Sequence, residues 1–241
     1  MRQVPETEKP YLIIGNGKLA KNLCHYFDLK QIPYIQWFRQ QEQDALVVKL
    51  NICSKVLLCI SDSAIKHFAL ELQKDFQHLD FVHFSGSLHI DGIDNLHPMH
   101  SFALNFPALK VYEEIPFAYF DKEKSLKDIL PELDNPSFYL DKEKKAQYHA
   151  HCASAGNLAQ WLWHESYDFF QDNHIPKEAF RNFILASLDN FLEQGRAGVS
   201  GPISRDDQNT IQKNIDDIKN KNLKETYRFF ANKYSSWKDQ L

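Results

Sequence analysis

The chain has 241 residues, 43% of them hydrophobic and 25% charged, with a net charge of −4. That balance belongs to a folded globular protein rather than a disordered or fibrous one. With no basic stripe for nucleic acid and no run near the roughly 20 apolar residues of a membrane span, the expected partners are small molecules.

In chain order, MRQVPETEKP has no signal-peptide core, and Tyr11 to Ile14 forms a short apolar run ending on Gly15. Leu19, Leu23, Tyr26 and Phe27 then recur at helical spacing. Pro33 opens a second strand, PYIQWFR, ending at Arg39, and a polar helical stretch leads to a third, KVLLCI, from Lys55 to Ile60. Asp62 or Ser63 is placed to cap the helix carrying Ile65, Phe68, Ala69 and Leu72. FVHFSG closes on Gly86, and the stretch from Leu88 to Pro107 breaks into loops and short strands. PFAYF (Pro116 to Phe120) and SFYL (Ser137 to Leu140) are the last strand candidates. Helices are expected at 142–172, 176–194, 206–220 and 223–238, with Pro176 in a first turn and Gly195, Gly198, Gly201 and Pro202 as breakers. Cys24, Cys53, Cys59 and Cys152 lie in apolar segments without a C-x-x-C pair, as free thiols do in a reducing compartment. The protein is therefore expected to be cytoplasmic.

The fold class that follows is α/β: an N-terminal Rossmann-type parallel sheet covered on both faces, then an all-helical domain. The expected division is residues 1–140 for nucleotide binding and 141–241 for dimerisation and substrate.

The chemistry begins at the first turn. Gly15-Asn16-Gly17-Lys18-Leu19-Ala20 fits the dinucleotide fingerprint with Ala in third place. Gly15 allows the tight turn, Gly17 lets backbone approach a pyrophosphate, and Ala20 keeps helix and strand close. The helix N-terminus presents N–H groups and a positive dipole end to phosphate. The second strand ends Trp37-Phe38-Arg39 with no acid before Glu42. Arg suits the 2′-phosphate of NADP, whereas an acid would select NAD, so NADP is expected.

Four segments together resemble one family: GNGKLA, CISDSAI, VHFSGS followed by LHPMHSFA, and SGPISRDD. These are Rossmann-like proteins with a C-terminal helical domain of unknown function, distant relatives of pyrroline-5-carboxylate reductase and 6-phosphogluconate dehydrogenase. The resemblance spans nearly the whole chain. It implies a helical domain like that of 6-phosphogluconate dehydrogenase and an NADP-dependent oxidoreductase, without naming a substrate. Ser61 stands where the family often has Pro, Ser200 where it has Thr, and Asp206 where it has Gly.

Three segments should converge on the nicotinamide: the strand ends at Ser61 and Asp62 and at His83, Ser85 and Gly86, and the irregular stretch His97 to Ser101. His97 and His100 can donate protons to a reduced carbonyl or imine, or simply brace a loop. H-x-x-H with His83 and His89 is a weak metal pattern, and no metal is expected. In the long helix, the resemblance assigns polar roles to His149 and Asn157, beside the small residues Cys152 to Gly156; tight helix packing is the plainer reading. Arg205 suits a substrate carboxylate or a plain turn with its neighbouring acids.

The aromatics Trp161, Trp163, Tyr167, Phe169 and Phe170, with Phe180, Phe183 and Phe191, make these helices apolar around much of their circumference, so a homodimer is expected. The leading function is an NADP-dependent oxidoreductase for a small carbonyl, imine or hydroxyacid, with His100, His149 and Asn157 as catalytic candidates. The alternative is a non-catalytic NADP(H) sensor. It is favoured by the lack of a lysine one turn from Asn157, since Lys144 and Lys145 lie more than three turns earlier.

Overall fold

The structure is a computed structural model that describes residues 9–238. It divides into two compact units, residues 1–154 and 155–241.

The first unit is built on a seven-stranded sheet. Tyr11–Ile14 (β1) is buried at all four positions, as a strand covered on both faces must be. The helix Lys18–Lys30 (α1) leads to Tyr34–Trp37 (β2), and Gln43–Ile52 (α2) leads to Lys55–Leu58 (β3). The helix Asp62–Asp75 (α3) precedes Asp80–His83 (β4), with Asp94–Pro98 (β5) next. Leu109–Glu113 (α4), Phe117–Tyr119 (β6), Leu126–Ile129 (α5) and Ser137–Tyr139 (β7) complete the strand-bearing part. The sheet order is β2-β1-β3-β4-β5-β6-β7. Its winding reverses between β1 and β3, which sets the ligand crevice at their C-terminal ends.

Alternation along the strands splits the core in two. Tyr11, Ile13, Leu57 and Val82 pack with Ala20, Leu23 and Phe27 of α1. Leu12, Ile14, Val56 and Leu58 pack on the other face with Leu46 and Leu50 of α2 and Ile65 and Ala69 of α3. Each strand residue thus serves one layer.

The expected Rossmann-type parallel sheet is present, with one antiparallel pairing at its far side. β1 to β5 are parallel, but β6 runs antiparallel to β5, with Leu96 opposite Tyr119 and Pro98 opposite Phe117. The link between them holds only the five-residue α4. Asn22 of α1 ties that link down, donating to the carbonyl of Ala103 and accepting from the Tyr112 hydroxyl, at 2.7 Å each. The chain therefore turns back along β5 instead of crossing the sheet.

The expected continuous helix over 142–172 is also modified. A 3₁₀ turn at Lys142–Lys144 opens Lys145–Ala153 (α6), and a π-helical turn, Ser154–Leu158, separates α6 from Ala159–Asp172 (α7). The Ser154 hydroxyl donates to the Ala150 carbonyl at 2.8 Å, a side-chain intrusion that suits a widened turn, and Gly156 lies within it.

The second unit comprises α7, Lys177–Gln194 (α8), Gln208–Asp217 (α9) and Lys221–Lys238 (α10). Tyr167 and Phe170 of α7 meet Phe180 of α8, with ring centroids 5.3 and 5.2 Å apart. Asp207 caps α9 by accepting from the Thr210 N–H at 3.1 Å. Asp206 holds a left-handed φ of 57°, a conformation that glycine adopts at less cost.

Candidate functional site

Gly15 has φ +135°, and a Cβ on it would stand 2.2 Å from the Cys59 carbonyl oxygen. Its N–H donates to the Trp37 carbonyl at 2.8 Å, so this one residue binds the ends of β1 and β2 against β3. Asn16, Gly17 and Lys18 are exposed, and nothing lies within 4 Å of a Cβ on Gly17. Gly17 is the N-cap of α1 and supplies no side-chain cap. The first backbone bond of the helix runs from Lys21 N–H to the Gly17 carbonyl. Among the described residues, the amides of Lys18, Leu19 and Ala20 have no acceptor. A 13-residue helix thus presents three free donors and its positive end above an open glycine, which fits a pyrophosphate.

Arg39 lies in the turn after β2, exposed, without a hydrogen bond or ion pair among the described residues. Lys49 braces that turn, its Nζ donating to the Gln36 carbonyl at 2.7 Å and to Gln41 Oε1 at 3.2 Å. The guanidinium is therefore free on a fixed base.

At the next strand end, the N-cap of α3 is Ser61 and not Asp62 or Ser63, and the Ser61 side chain makes no capping bond. The Asp62 carboxylate is used otherwise. It accepts from Ser85 Oγ at 2.6 Å and Ser87 Oγ at 3.2 Å. Ser85 Oγ in turn accepts from the N–H groups of Ser87 and Leu88 at 3.2 and 3.0 Å. The loop leaving β4 is locked to the start of α3.

Beyond this lock, two imidazoles close over Gly86. A Cβ there would meet His149 Cδ2 at 2.3 Å and His97 Nε2 at 2.8 Å, so a side chain at this position would push the rings aside. The two rings meet edge to face at 5.8 Å. His97 Nδ1 pairs with the Tyr148 hydroxyl at 2.9 Å, and the Tyr148 ring rests against Phe120 and Phe138. Burial, then the charges of His149 and Lys145, bring the His97 pKa down to about 4.

Near them lies a third imidazole, His83. Its Nδ1 receives the Ser85 N–H at 3.3 Å and the Asn95 amide at 3.1 Å, so the ring proton sits on Nε2. Burial, then the Lys145 charge, lowers its pKa to about 3. Lys145 itself is 1% exposed at the first position of α6, its Nζ 4.6 Å from the centre of the Phe120 ring. Burial lowers its pKa to about 7, against the opposing pull of Asp62.

The structure gathers Asp62, Ser85, Gly86, His97 and His149 in one neighbourhood. His100 is exposed and lies edge-on to Phe102 at 4.9 Å, outside that cluster. Asn157 is exposed on the π turn of the second unit, and Arg205 lies exposed near Asp207, whose carboxyl is held low by hydrogen bonds from Thr210 and then by the Arg205 charge. His89 pairs with Asp91 at 3.1 Å. Among the described residues, no group of three His, Cys, Asp or Glu side chains is arranged to hold a metal. Sequence reasoning missed Lys145 and the Tyr148–His97 pair. The available signal was spacing: Lys145, Tyr148 and His149 share a helix face at i, i+3 and i+4.

Fold and turn together define a Rossmann-like protein with a C-terminal helical domain. Residues 120–234 match the family model described as a domain of unknown function, DUF2520. Three solved structures share the fold. Protein BF3122 of Bacteroides fragilis, assigned as an NADP oxidoreductase, is 19% identical with a TM-score of 0.75, over 95% of this chain and 98% of that one. Protein TM1727 of Thermotoga maritima is 19% identical, TM-score 0.59, over 95% and 99%. Plasmodium falciparum pyrroline carboxylate reductase, solved with NADP bound, is 12% identical, TM-score 0.60, over 95% and 96%. No curated protein matches the chain.

Proposed function

We propose that the chain is an NADP(H)-dependent oxidoreductase that reduces a small carbonyl or imine, or runs the reverse reaction on a hydroxyacid. The observation that carries this reading is the uncapped start of α1 beside Gly15 and Gly17. Similarity in fold to a pyrroline carboxylate reductase with NADP bound, and to an Aspergillus terreus reductive aminase solved with NADPH (TM-score 0.54), supports it.

Gly15 to Ala20 would hold the pyrophosphate, Arg39 the 2′-phosphate, and the Asp62–Ser85–Ser87 lock would border the cofactor path from Ser61 onward. Bound NADPH supplies a hydride. The protein's own contribution is a dry, histidine-lined wall at Gly86, where His97 and His149 orient the substrate atom that takes up a proton. His100 and Asn157 remain candidates for the same task. Residues 1–140 would bind the nucleotide, and residues 141–241 would contribute substrate contacts and join two copies as a homodimer. The four cysteines, free among the described residues, suit a reducing cytoplasm.

Titration of intrinsic fluorescence with NADPH and NADH tests the cofactor. NADPH is expected to bind more tightly, and Arg39→Ala to weaken it by about tenfold while leaving NADH unchanged. Equal binding of both nucleotides by the parent protein would remove the role of Arg39. A second reading, an NADP(H) sensor without catalysis, is favoured by Asn157, whose exposed side chain has no lysine one turn away. It predicts tight NADPH binding with no turnover on any small carbonyl or imine.

A further inference from the structure

Three polar atoms in the first unit are fully buried without a hydrogen-bond partner among the described residues: His83 Nε2, Asn95 Oδ1 and Lys145 Nζ. A buried donor or acceptor left unmade costs about 1–3 kcal/mol, so three in one unit call for an explanation. Their chemistry is complementary. His83 Nε2 carries a proton and needs an acceptor, Asn95 Oδ1 needs a donor, and an amine offers both a lone pair and N–H groups. Internal water reaching these atoms would supply the missing partners.

We propose that Lys145 is the proton store of the reaction assigned above: a positioning residue at the start of α6 that releases its proton through water held by His83 and Asn95, and so sets the protonation of His97 at Gly86. This inference rests on that assignment for its purpose, although not for its test.

The surroundings suit the role. Facing Lys145 are His83 from β4, His97 from β5 and Asp62 from the start of α3, each coupled to it electrostatically; Tyr148 and His149 share its helix face. The Phe120 ring face stabilises an ammonium without fixing it in a hydrogen bond. Neither His83, at about 3, nor His97, at about 4, carries an extra proton at neutral pH. Lys145, at about 7, both carries one and can lose it. Asn95 and Phe120 also line a cavity of about 630 Å³ at the end of the sheet where β4 and β5 begin, flanked by Asp80, Asp94 and Asp121. That cavity brings bulk water near the store.

The step balances. Reduction of a C=O or C=N bond consumes one hydride and one proton. An N–H bond of the Lys145 ammonium breaks, an O–H or N–H bond forms on the product, and the neutral amine regains its proton from bulk water on the cavity side.

NMR titration of the full chain, labelled with ¹³Cε lysine and ¹⁵N histidine, tests this without substrate or cofactor. Lys145 is expected to titrate near pH 7, and Lys145→Met to move the His97 midpoint upward by removing a nearby positive charge. A lysine midpoint near the ordinary value of about 10.4, or a His97 midpoint unmoved in Lys145→Met, overturns the proposal. With turnover established, Lys145→Met and Lys145→Arg should each lower kcat about 10²-fold and flatten the pH profile around neutrality. Full activity in either variant also overturns it. Because the NMR readings need no nucleotide, a chain that fails to bind NADPH loses the proposed function and leaves the proton store standing.

Discussion

The two units treat their apolar residues in opposite ways. In the first, β1, β3 and β4 are sealed between helices on both faces, and the two apolar layers are nearly complete. In the second, Ile211 and Ile215 are the buried hydrophobic residues among those described, while Trp161 is 64%, Phe183 69% and Leu192 70% exposed. Large side chains left in water forgo about 1.5–3 kcal/mol each, so the two units have different needs. A sheet with helices on both sides closes its own core. Helices α7 and α8, apolar on several faces, have too few neighbours within 155–241 to do the same. That contrast supports a second copy of the chain as the missing cover.

Gly15→Ala strikes the self-sufficient unit hardest. The added methyl meets the Cys59 carbonyl at 2.2 Å in a backbone region closed to alanine. Overpacking and strain together are expected to cost about 3 kcal/mol. Urea unfolding should show the early loss of sheet signal, with the helical unit unfolding as in the parent protein. An unchanged midpoint would mean that β1 and β3 are not sealed as described.

Acid should separate the units next. His83 and His97 are held neutral in the fold at about 3 and about 4, below the unfolded value near 6.5. As pH falls below about 6.5, the unfolded chain takes up these protons first, so stability drops. The slope is about 1.4 kcal/mol per pH unit for each imidazole, and it ends near the folded values. The histidines of the second unit, His164 and His174, are exposed. Chemical denaturation at pH 7, 5.5 and 4.5 should therefore show the loss in the sheet unit alone. Lys145 acts in the other window. Its folded value, about 7, is below the unfolded one, so its burial cost is full below pH 7 and fades as pH rises towards about 10.4.

The gentlest change for the fold is on the helical face. Phe183→Asp with Leu192→Asp places charges where both side chains are already exposed, so a single copy should keep its stability within about 0.5 kcal/mol. Light scattering should show a dimer in the parent protein and a monomer in the double variant. A parent protein that is monomeric at high concentration would end the argument for a second copy.

The nucleotide turn was legible in the sequence because its logic is local. Gly15, Gly17 and Ala20 follow one strand and open one helix, and the structure adds that Gly15 sits against Cys59. The strands were legible for a similar reason, since YLII and KVLL carry no helical period. The direction of β6 was not. It depends on Asn22 holding the Ala103 and Tyr112 segment against α1, a contact between residues more than 80 positions apart. The cap of α3 was misread by one residue because Asp62 finds better donors in Ser85 and Ser87 than in its own helix.

What the sequence by itself determined, then, is the α/β half, the helical half and the nucleotide turn, all of which rest on periodicity and on the freedom of glycine over a few residues. The tertiary structure alone decided the histidine wall. His97 and His149 are 52 positions apart in sequence and meet over Gly86, which has no side chain to part them, and Lys145 is drawn towards neutral pH because the fold buries it against the Phe120 ring. A pKa is a property of surroundings, and those surroundings come from strands and a helix that lie far apart in the sequence.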